Sequence, residues 1–479
     1  MQNVKDIVDE EKFYNLLERT RNPSAGKILK ILEKAKEKKG LTIEEIGFLL
    51  NTTDEKLIPL MFDAAGKIKK EIYGERLVFF APLYASSFCV NDCEYCGFHS
   101  RNKEPRKKLA LKEIEEQVNL LIEMGHKRLL VEFGEDPKEN PIDYVVDVIK
   151  TIYNTKSHCK NTDDGNTING NLINSNLITG EIRRVNVNIA ATSVENYKKL
   201  KSAGIGTYQL FQETYHKETY KNLHHGPKAD YERQLFAHNR AFEAGIDDLG
   251  IGVLFGLYDY KFEVLGLVSH AQYMEKTFGV GPHTISVPRW QPAKGVDWGR
   301  PPYYVSDDEL LKIISILRMG VPYTGMIIST RERPEIRAKA FEIGISQTSA
   351  ASRTSPGGYG SGEKLTQFNI ADNRPVDEVI KSVLIQGLLP SFCTACYRNS
   401  RTGDAFMALA KTGDIQNLCR PNALLTFKEY LKDYAAPDVK KLGLTVLNTY
   451  LNEISDENRK KETIARLKRI ENGERDLYF

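Results

Sequence analysis

Six cysteines fall into two groups of three: Cys89, Cys93 and Cys96, then Cys393, Cys396 and Cys419. Three residues separate Cys89 from Cys93, and two separate Cys93 from Cys96. Three thiolates on one loop can each hold one iron of a 4Fe–4S cluster. The fourth iron is then open, a Lewis acid that can take a small chelating ligand. Zinc is the competing use. A closed structural zinc site wants four ligands, and His99 would supply the fourth. In the second group two residues separate Cys393 from Cys396, and twenty-two separate Cys396 from Cys419. No second close pair of ligands follows, and residues 390–479 hold no histidine. A second open-iron cluster is therefore favoured over zinc. Cys159 stands apart and reads as incidental. An odd count of seven in a chain of 479 residues argues against a disulfide framework.

Something must hold these loops. Short apolar runs alternate with amphipathic helical patterns. Strands are expected at Leu77–Ala81, Arg128–Phe133, Arg184–Ile189, Thr207–Gln212, Leu249–Phe255, Thr284–Arg289, Met326–Thr330 and Ile345–Ser349. Helices are expected between them, at 111–124, 141–153, 193–202, 229–244, 261–277, 306–319 and 333–342, with 375–387 after the last strand. Such alternation implies a parallel sheet, and about eight units predict an α/β fold closed as a TIM-type (β/α)8 barrel. The barrel is expected over 77–389. A helical extension, 1–76, precedes it and carries a capping box at Thr42 and Glu45. A cysteine-bearing helical module, 390–479, follows. Several strands end in polar residues, including Asn188, Arg289 and Ser329, where barrel enzymes place their chemistry. Residues 161–176 hold six asparagines and read as a surface insertion.

Composition removes other classes. Hydrophobic residues make up 41% and charged residues 27%, with a net charge of +3. Neither a nucleic-acid coat nor a membrane surface is expected as partner. No apolar run reaches membrane-span length, and the acidic start does not suit a signal or transit peptide. The expected location is the cytoplasm.

The first cysteine spacing resembles the signature of radical S-adenosylmethionine (SAM) enzymes, with Tyr95 as the aromatic residue before the third cysteine. Its place after the first strand agrees. Phe133-Gly-Glu-Asp-Pro137 resembles the Gly-Gly-Glu motif that contacts the SAM amino group, with Gly134 and Glu135 as the matching residues. The second spacing, at the end of such a barrel, resembles the HydG family of tyrosine lyases that mature FeFe-hydrogenase. Further similar stretches are 183–190, 204–215, 244–260, 278–289, 321–331 and 401–407, and the likeness covers nearly the whole chain. Two departures are Ala351, where the family would have glycine, and Trp290.

The resemblance implies two 4Fe–4S clusters and SAM. It implies a 5′-deoxyadenosyl radical that acts on L-tyrosine, breaking Cα–Cβ to give p-cresol and dehydroglycine. Dehydroglycine then becomes carbon monoxide and cyanide at the second, auxiliary cluster. There an additional mononuclear iron with cysteine becomes an Fe(CO)2(CN) unit. Hydrogenase maturation proteins and an electron donor such as ferredoxin or flavodoxin are the implied partners. His270 lies in the segment matching the family's iron ligand, with His283 as the alternative. Arg331 with Ser329 is the first choice for the tyrosine carboxylate, because an arginine fork suits a carboxylate; Arg289 is the second. The nearest alternative is the 2-iminoacetate synthase of thiamine biosynthesis, a tyrosine lyase without the second cysteine group. A non-enzymatic iron–sulfur scaffold is the other.

Overall fold

The computed structural model describes residues 3–159, 167–168, 171–172, 178–362 and 365–479. Eight strands run parallel around one axis. They are β1 (Arg76–Ser86), β2 (Arg128–Phe133), β3 (Arg184–Asn188), β4 (Tyr208–Gln209), β5 (Leu249–Gly252), β6 (Thr284–Ser286), β7 (Gly325–Ile328) and β8 (Gln347–Ser349). Each pairs with the next, and β8 returns to β1 through Val78–Gln347, Phe79–Thr348 and Phe80–Ser349. The sheet is a closed TIM-type barrel. Apolar strand positions such as Val185 and Val187 of β3 and Leu249 and Ile251 of β5 are buried, and polar ones such as Asn186, Gln209 and Gln347 are buried between them.

Helices cover the outside, among them Leu111–Glu123, Ile142–Asn154, Tyr260–Phe278, Asp307–Gly320 and Val376–Ile385. Caps set their starts. Ser306 and Glu309 form a reciprocal box at the head of Asp307–Gly320, and Thr42 and Glu45 do so for Ile43–Leu50. Buried hydrophobics form one continuous cluster from Ile7 to Ile470. Each fully buried large side chain in it contributes about 2 kcal/mol. Buried Lys312 donates to the carbonyls of Leu50 (2.9 Å) and Thr52 (2.6 Å), fastening the N-terminal helices to a barrel helix.

Several strands are shorter than their apolar runs. β4 keeps only two paired residues of the six expected. The expected helix at 229–244 is two, Tyr231–Leu235 and Ala237–Glu243, meeting at Phe236. The asparagine-rich segment 161–176 falls mostly outside the described residues. It is flanked by an antiparallel pair, Lys156–Cys159 with Ile178–Glu181.

One strand was not expected. Leu389–Ser391 (β9) pairs with Arg76–Val78 at the start of β1, while β2 pairs with the later part, Ala81–Ser86. It carries the chain to Cys393 beneath the barrel. Phe392, just after it, stacks on Phe79 of β1 (5.7 Å) and on Tyr430 (5.0 Å) of the helix Gln416–Asp433 that bears Cys419. Among the described residues no helix is long and apolar enough to cross a membrane.

Candidate active sites at the two barrel ends

The C-terminal ends of the strands surround a cavity of about 1480 Å³. Cys89, Cys93 and Cys96 line it, as do Tyr95, Gly134, Glu135, Ser329 and Arg331. Eight residues from three segments far apart in the chain thus share one chamber. Burial pushes all three thiols up, Cys96 to about 11. A metal centre that binds thiolate would offset this cost. His99 is not available as a fourth ligand. Its Nδ1 faces Asp92 (2.9 Å) and its Nε2 faces the Gly295 carbonyl (3.0 Å). Among the described residues no three His, Cys, Asp or Glu side chains converge on one metal ion. A cubane suits this arrangement better, because it takes its thiolates at separate corners.

The loop is fixed from several sides. His224 Nδ1 lies 2.7 Å from the Tyr220 carbonyl and so must donate to it; Tyr95 OH then donates to Nε2 (2.8 Å). Asn91 was not anticipated. It is buried, donates to Glu135 Oε2 (2.6 Å), and accepts from the Lys228 amide (2.8 Å). Glu135 Oε1 also accepts from Arg233 (2.5 Å). Each carboxylate oxygen keeps a lone pair for an ammonium group. Gly134 is required by packing: a Cβ there would sit 2.2 Å from the Phe88 carbonyl oxygen.

Ser329 and Arg331 follow β7. The Arg331 amide donates to Ser329 Oγ (3.3 Å), and the guanidinium lies over Phe368 at 3.2 Å. Among the described residues its guanidinium has no hydrogen bond or ion pair. Glu132, also unanticipated, projects from β2 into the same chamber, and burial raises its carboxyl to about 8 against the pull of Arg331. Arg289 does not belong here. Its guanidinium is spent on Glu332, Asp307 (2.8 Å) and the Val305 carbonyl (3.0 Å), outside the chamber. The expected carboxylate binder is a structural ion pair. Trp290 lines the chamber instead, packed with Cys93 and Tyr95.

A second cavity opens at the other end, where strands begin. Cys393, Cys396 and Cys419 line it with Arg76, Arg128, His283 and Tyr397. Arg76, Arg128 and Arg184 are the first residues of β1, β2 and β3. Arg184 stacks on Tyr397 at 3.4 Å, and among the described residues the Nε of all three arginines lacks a hydrogen-bond partner. Cys396 is pulled down to about 6, first by a hydrogen bond with Cys419, then by Arg401 and Arg76 against burial. Cys419 is pushed up by the same bond and by burial. Three cysteines in a cationic, partly unsatisfied pocket fit an anionic thiolate cluster.

Both chambers reach into the barrel. Val78 and Gln347 line the lower one, Phe80 and Ser349 the upper. On β1 and on β8 the two are one same-face step apart, about 7 Å.

A radical SAM superfamily model matches residues 83–266, and a biotin and thiamin synthesis associated domain matches 286–389. A crystal structure of HydG, described as a maturase of the FeFe-hydrogenase, is 53% identical. It covers 99% of this chain and 100% of its own, with a TM-score of 0.92. The chain belongs to the HydG family. The HydG structure from Carboxydothermus hydrogenoformans is 38% identical over 98% of this chain and all of its own, with a TM-score of 0.83. The 2-iminoacetate synthase of Salmonella typhimurium is more distant, 29% identical over 76% of this chain and 90% of its own.

Within this HydG-family chain His270 is misplaced for its expected task. It sits on the helix outside the barrel, 2% exposed. Its Nδ1 bonds the Tyr215 hydroxyl (2.8 Å), and its ring packs on His238 (5.5 Å). It does not line the lower cavity. His283 does, because it immediately precedes β6 and so emerges where strands begin.

Proposed function

We propose that this radical SAM maturase cleaves L-tyrosine at Cα–Cβ in the upper chamber, giving p-cresol and dehydroglycine. Dehydroglycine is converted at the lower cysteine site to carbon monoxide and cyanide. These build an Fe(CO)2(CN) unit for the hydrogenase. The observation that carries the reading is the pair of three-cysteine cavities, one at each end of a single barrel, nearly meeting inside it.

Cys89, Cys93 and Cys96 would hold a 4Fe–4S cluster with one iron open to SAM; when reduced, the cluster would donate one electron to SAM, releasing methionine and a 5′-deoxyadenosyl radical. Tyr95 braces that loop through His224, and Glu135 accepts a hydrogen bond from the SAM amino group. Arg331, stacked on Phe368 but without a hydrogen bond or ion pair among the described residues, takes the tyrosine carboxylate with Ser329 beside it. The barrel wall around Phe80, Leu130 and Ile327 is apolar and keeps water from the intermediates. Cys393, Cys396 and Cys419 would hold the second 4Fe–4S cluster, with Arg76 and Arg128 balancing its charge. His283 replaces His270 as the ligand of the additional iron, the cargo that bears cysteine. SAM and tyrosine are the small-molecule partners; hydrogenase maturation proteins and a ferredoxin or flavodoxin are the protein ones.

The test is anaerobic turnover of the reconstituted protein with SAM, reductant and tyrosine. Both p-cresol and cyanide are expected. Production of p-cresol without cyanide would indicate a 2-iminoacetate synthase instead. Absence of SAM cleavage would leave only a scaffold.

A further inference from the structure

Asp248 is buried at the lower end of the barrel, 2% exposed, directly before β5. Among the described residues neither of its carboxylate oxygens has a hydrogen-bond partner. Buried carboxylates without partners cost several kcal/mol, so such a group needs a reason to persist. The nearest cation-capable group is His283, whose Nδ1 lies 3.8 Å from Asp248 Oδ1. That Nδ1 also has no hydrogen bond. Two orphaned atoms of complementary type therefore face each other. The other ring nitrogen points elsewhere: His283 Nε2 is 3.5 Å from the hydroxyl of Tyr397, the residue after Cys396. The ring is gripped by Phe406, with centroids 4.3 Å apart.

We infer that Asp248 is the positioning residue of the lower site: it holds the His283 proton on Nδ1, so that Nε2 presents its lone pair to iron beside the Cys393–Cys396–Cys419 site. This rests on the reading of that site as one that takes additional iron. Histidine ligands of metals commonly donate their second N–H to a carboxylate, which fixes the ring and raises its basicity. An acceptor-only carboxylate selects one tautomer. The long contact to Tyr397 is weak enough for a metal to displace. Arg128 and Arg184, both near Tyr397, flank this pair without satisfying it. Asp248 would touch neither substrate nor iron.

The probe is ferrous iron, titrated anaerobically into full-length protein already loaded with both 4Fe–4S clusters and followed by electron paramagnetic resonance. Parent, Asp248→Asn and His283→Ala are compared. His283→Ala should lose the additional iron. Asp248→Asn, which has the same shape, should keep both cluster signals, showing that it folds. Its apparent ferrous affinity should drop about 10- to 100-fold. Nitrogen hyperfine coupling from labelled histidine should weaken with it, a change that a merely structural role would not produce. Parent-like affinity and coupling in Asp248→Asn, with iron lost in His283→Ala, would overturn the inference and leave the reading of the site intact. Absence of additional iron in the parent, or full binding in His283→Ala, would overturn both.

Discussion

The two ends of the barrel hold the same number of cysteines in opposite surroundings. At the upper end burial dominates, and every thiol is pushed up. At the lower end burial also raises Cys393, and Cys419 is raised by its bond with Cys396 and by burial, but Cys396 is pulled down to about 6 by that bond and by Arg401 and Arg76. The upper chamber is large and leaves the Arg331 guanidinium, stacked on Phe368, without a hydrogen bond or ion pair among the described residues. The lower cavity is smaller, about 500 Å³, and is walled by arginines that begin β1 and β2. A roomy chamber with charges of both signs suits two organic substrates. A tight cationic one suits an anionic cluster with small anionic ligands. TIM barrels ordinarily place chemistry at the C-terminal face and keep the N-terminal face for stability. Here β9 delivers a second cysteine set to the face that usually does none.

The sharpest way to break this comparison is to remove one cysteine from each end. Cys93→Ala should abolish SAM cleavage and therefore every product. Cys393→Ala should abolish carbon monoxide and cyanide while p-cresol still forms. Gas and cyanide assays beside p-cresol quantification read both. Loss of p-cresol in a Cys393→Ala protein that retains the upper cluster signal would show that the ends do not work separately.

Two arginines at strand ends offer the next contrast. Arg289→Gln strips the counter-charge from Glu332, which is 1% exposed. Breaking a buried pair from one side costs about 3–5 kcal/mol, so chemical denaturation should reveal a large loss while the tyrosine KM stays level. Arg331→Lys should do the reverse. A lost charge-assisted fork costs about 1.5–3 kcal/mol, a rise in the tyrosine KM of about tenfold or more. Stability should move much less, because among the described residues the Arg331 guanidinium makes the Phe368 stack but no hydrogen bond or ion pair.

These two residues show what a single sequence can and cannot reveal. Both are arginines just after an apolar strand, so residue type and position rank them alike. Glu332 and Asp307, the partners that bind Arg289, come from other elements and are visible only once the barrel closes. The cysteines were legible because their spacing alone states a ligand set. The eight-fold alternation was legible because burial on both faces leaves continuous apolar runs. β9 was not: Leu389-Pro390-Ser391 is too short for a period. His270 and His283 were separable only by topology, since one lies on an outer helix and the other where a strand begins. A usable signal for the lower site was present in Arg76, Arg128 and Arg184, each opening a strand.

Glu132 sharpens the contrast in charge. Its folded carboxyl titrates near 8 and its unfolded one near 4.5. Between those values the unfolded chain releases the proton and the folded chain does not. Rising pH therefore drains stability through this window, and the loss is complete above 8. Glu132→Gln should escape it. Melting curves at pH 5 and pH 8.5 should show the variant gaining on the parent by roughly 1–3 kcal/mol, since the chamber opens to solvent and screens the carboxyl.

The smallest effect separates the ends by backbone alone. Ala351, after β8, has φ +51°, and Ser400, in the turn after Cys396, has φ +52°. A side chain in this left-handed region costs about 1–2 kcal/mol, and glycine removes that cost. Glycine also loosens the unfolded chain, returning about 0.4–1 kcal/mol of the gain. Each change, Ala351→Gly and Ser400→Gly, should therefore net up to about 1 kcal/mol, near 1 °C in Tm for a chain this long. Their functional effects should part company. The Ala351 turn leads to Ser352 and Thr354, which line the upper chamber, whereas the Arg401 amide beside Ser400 bonds the Cys396 carbonyl (2.8 Å). Ala351→Gly should shift the p-cresol rate, and Ser400→Gly only the yield of cyanide per p-cresol. If both variants moved both readouts equally, the strain would belong to the barrel as a whole rather than to its two ends.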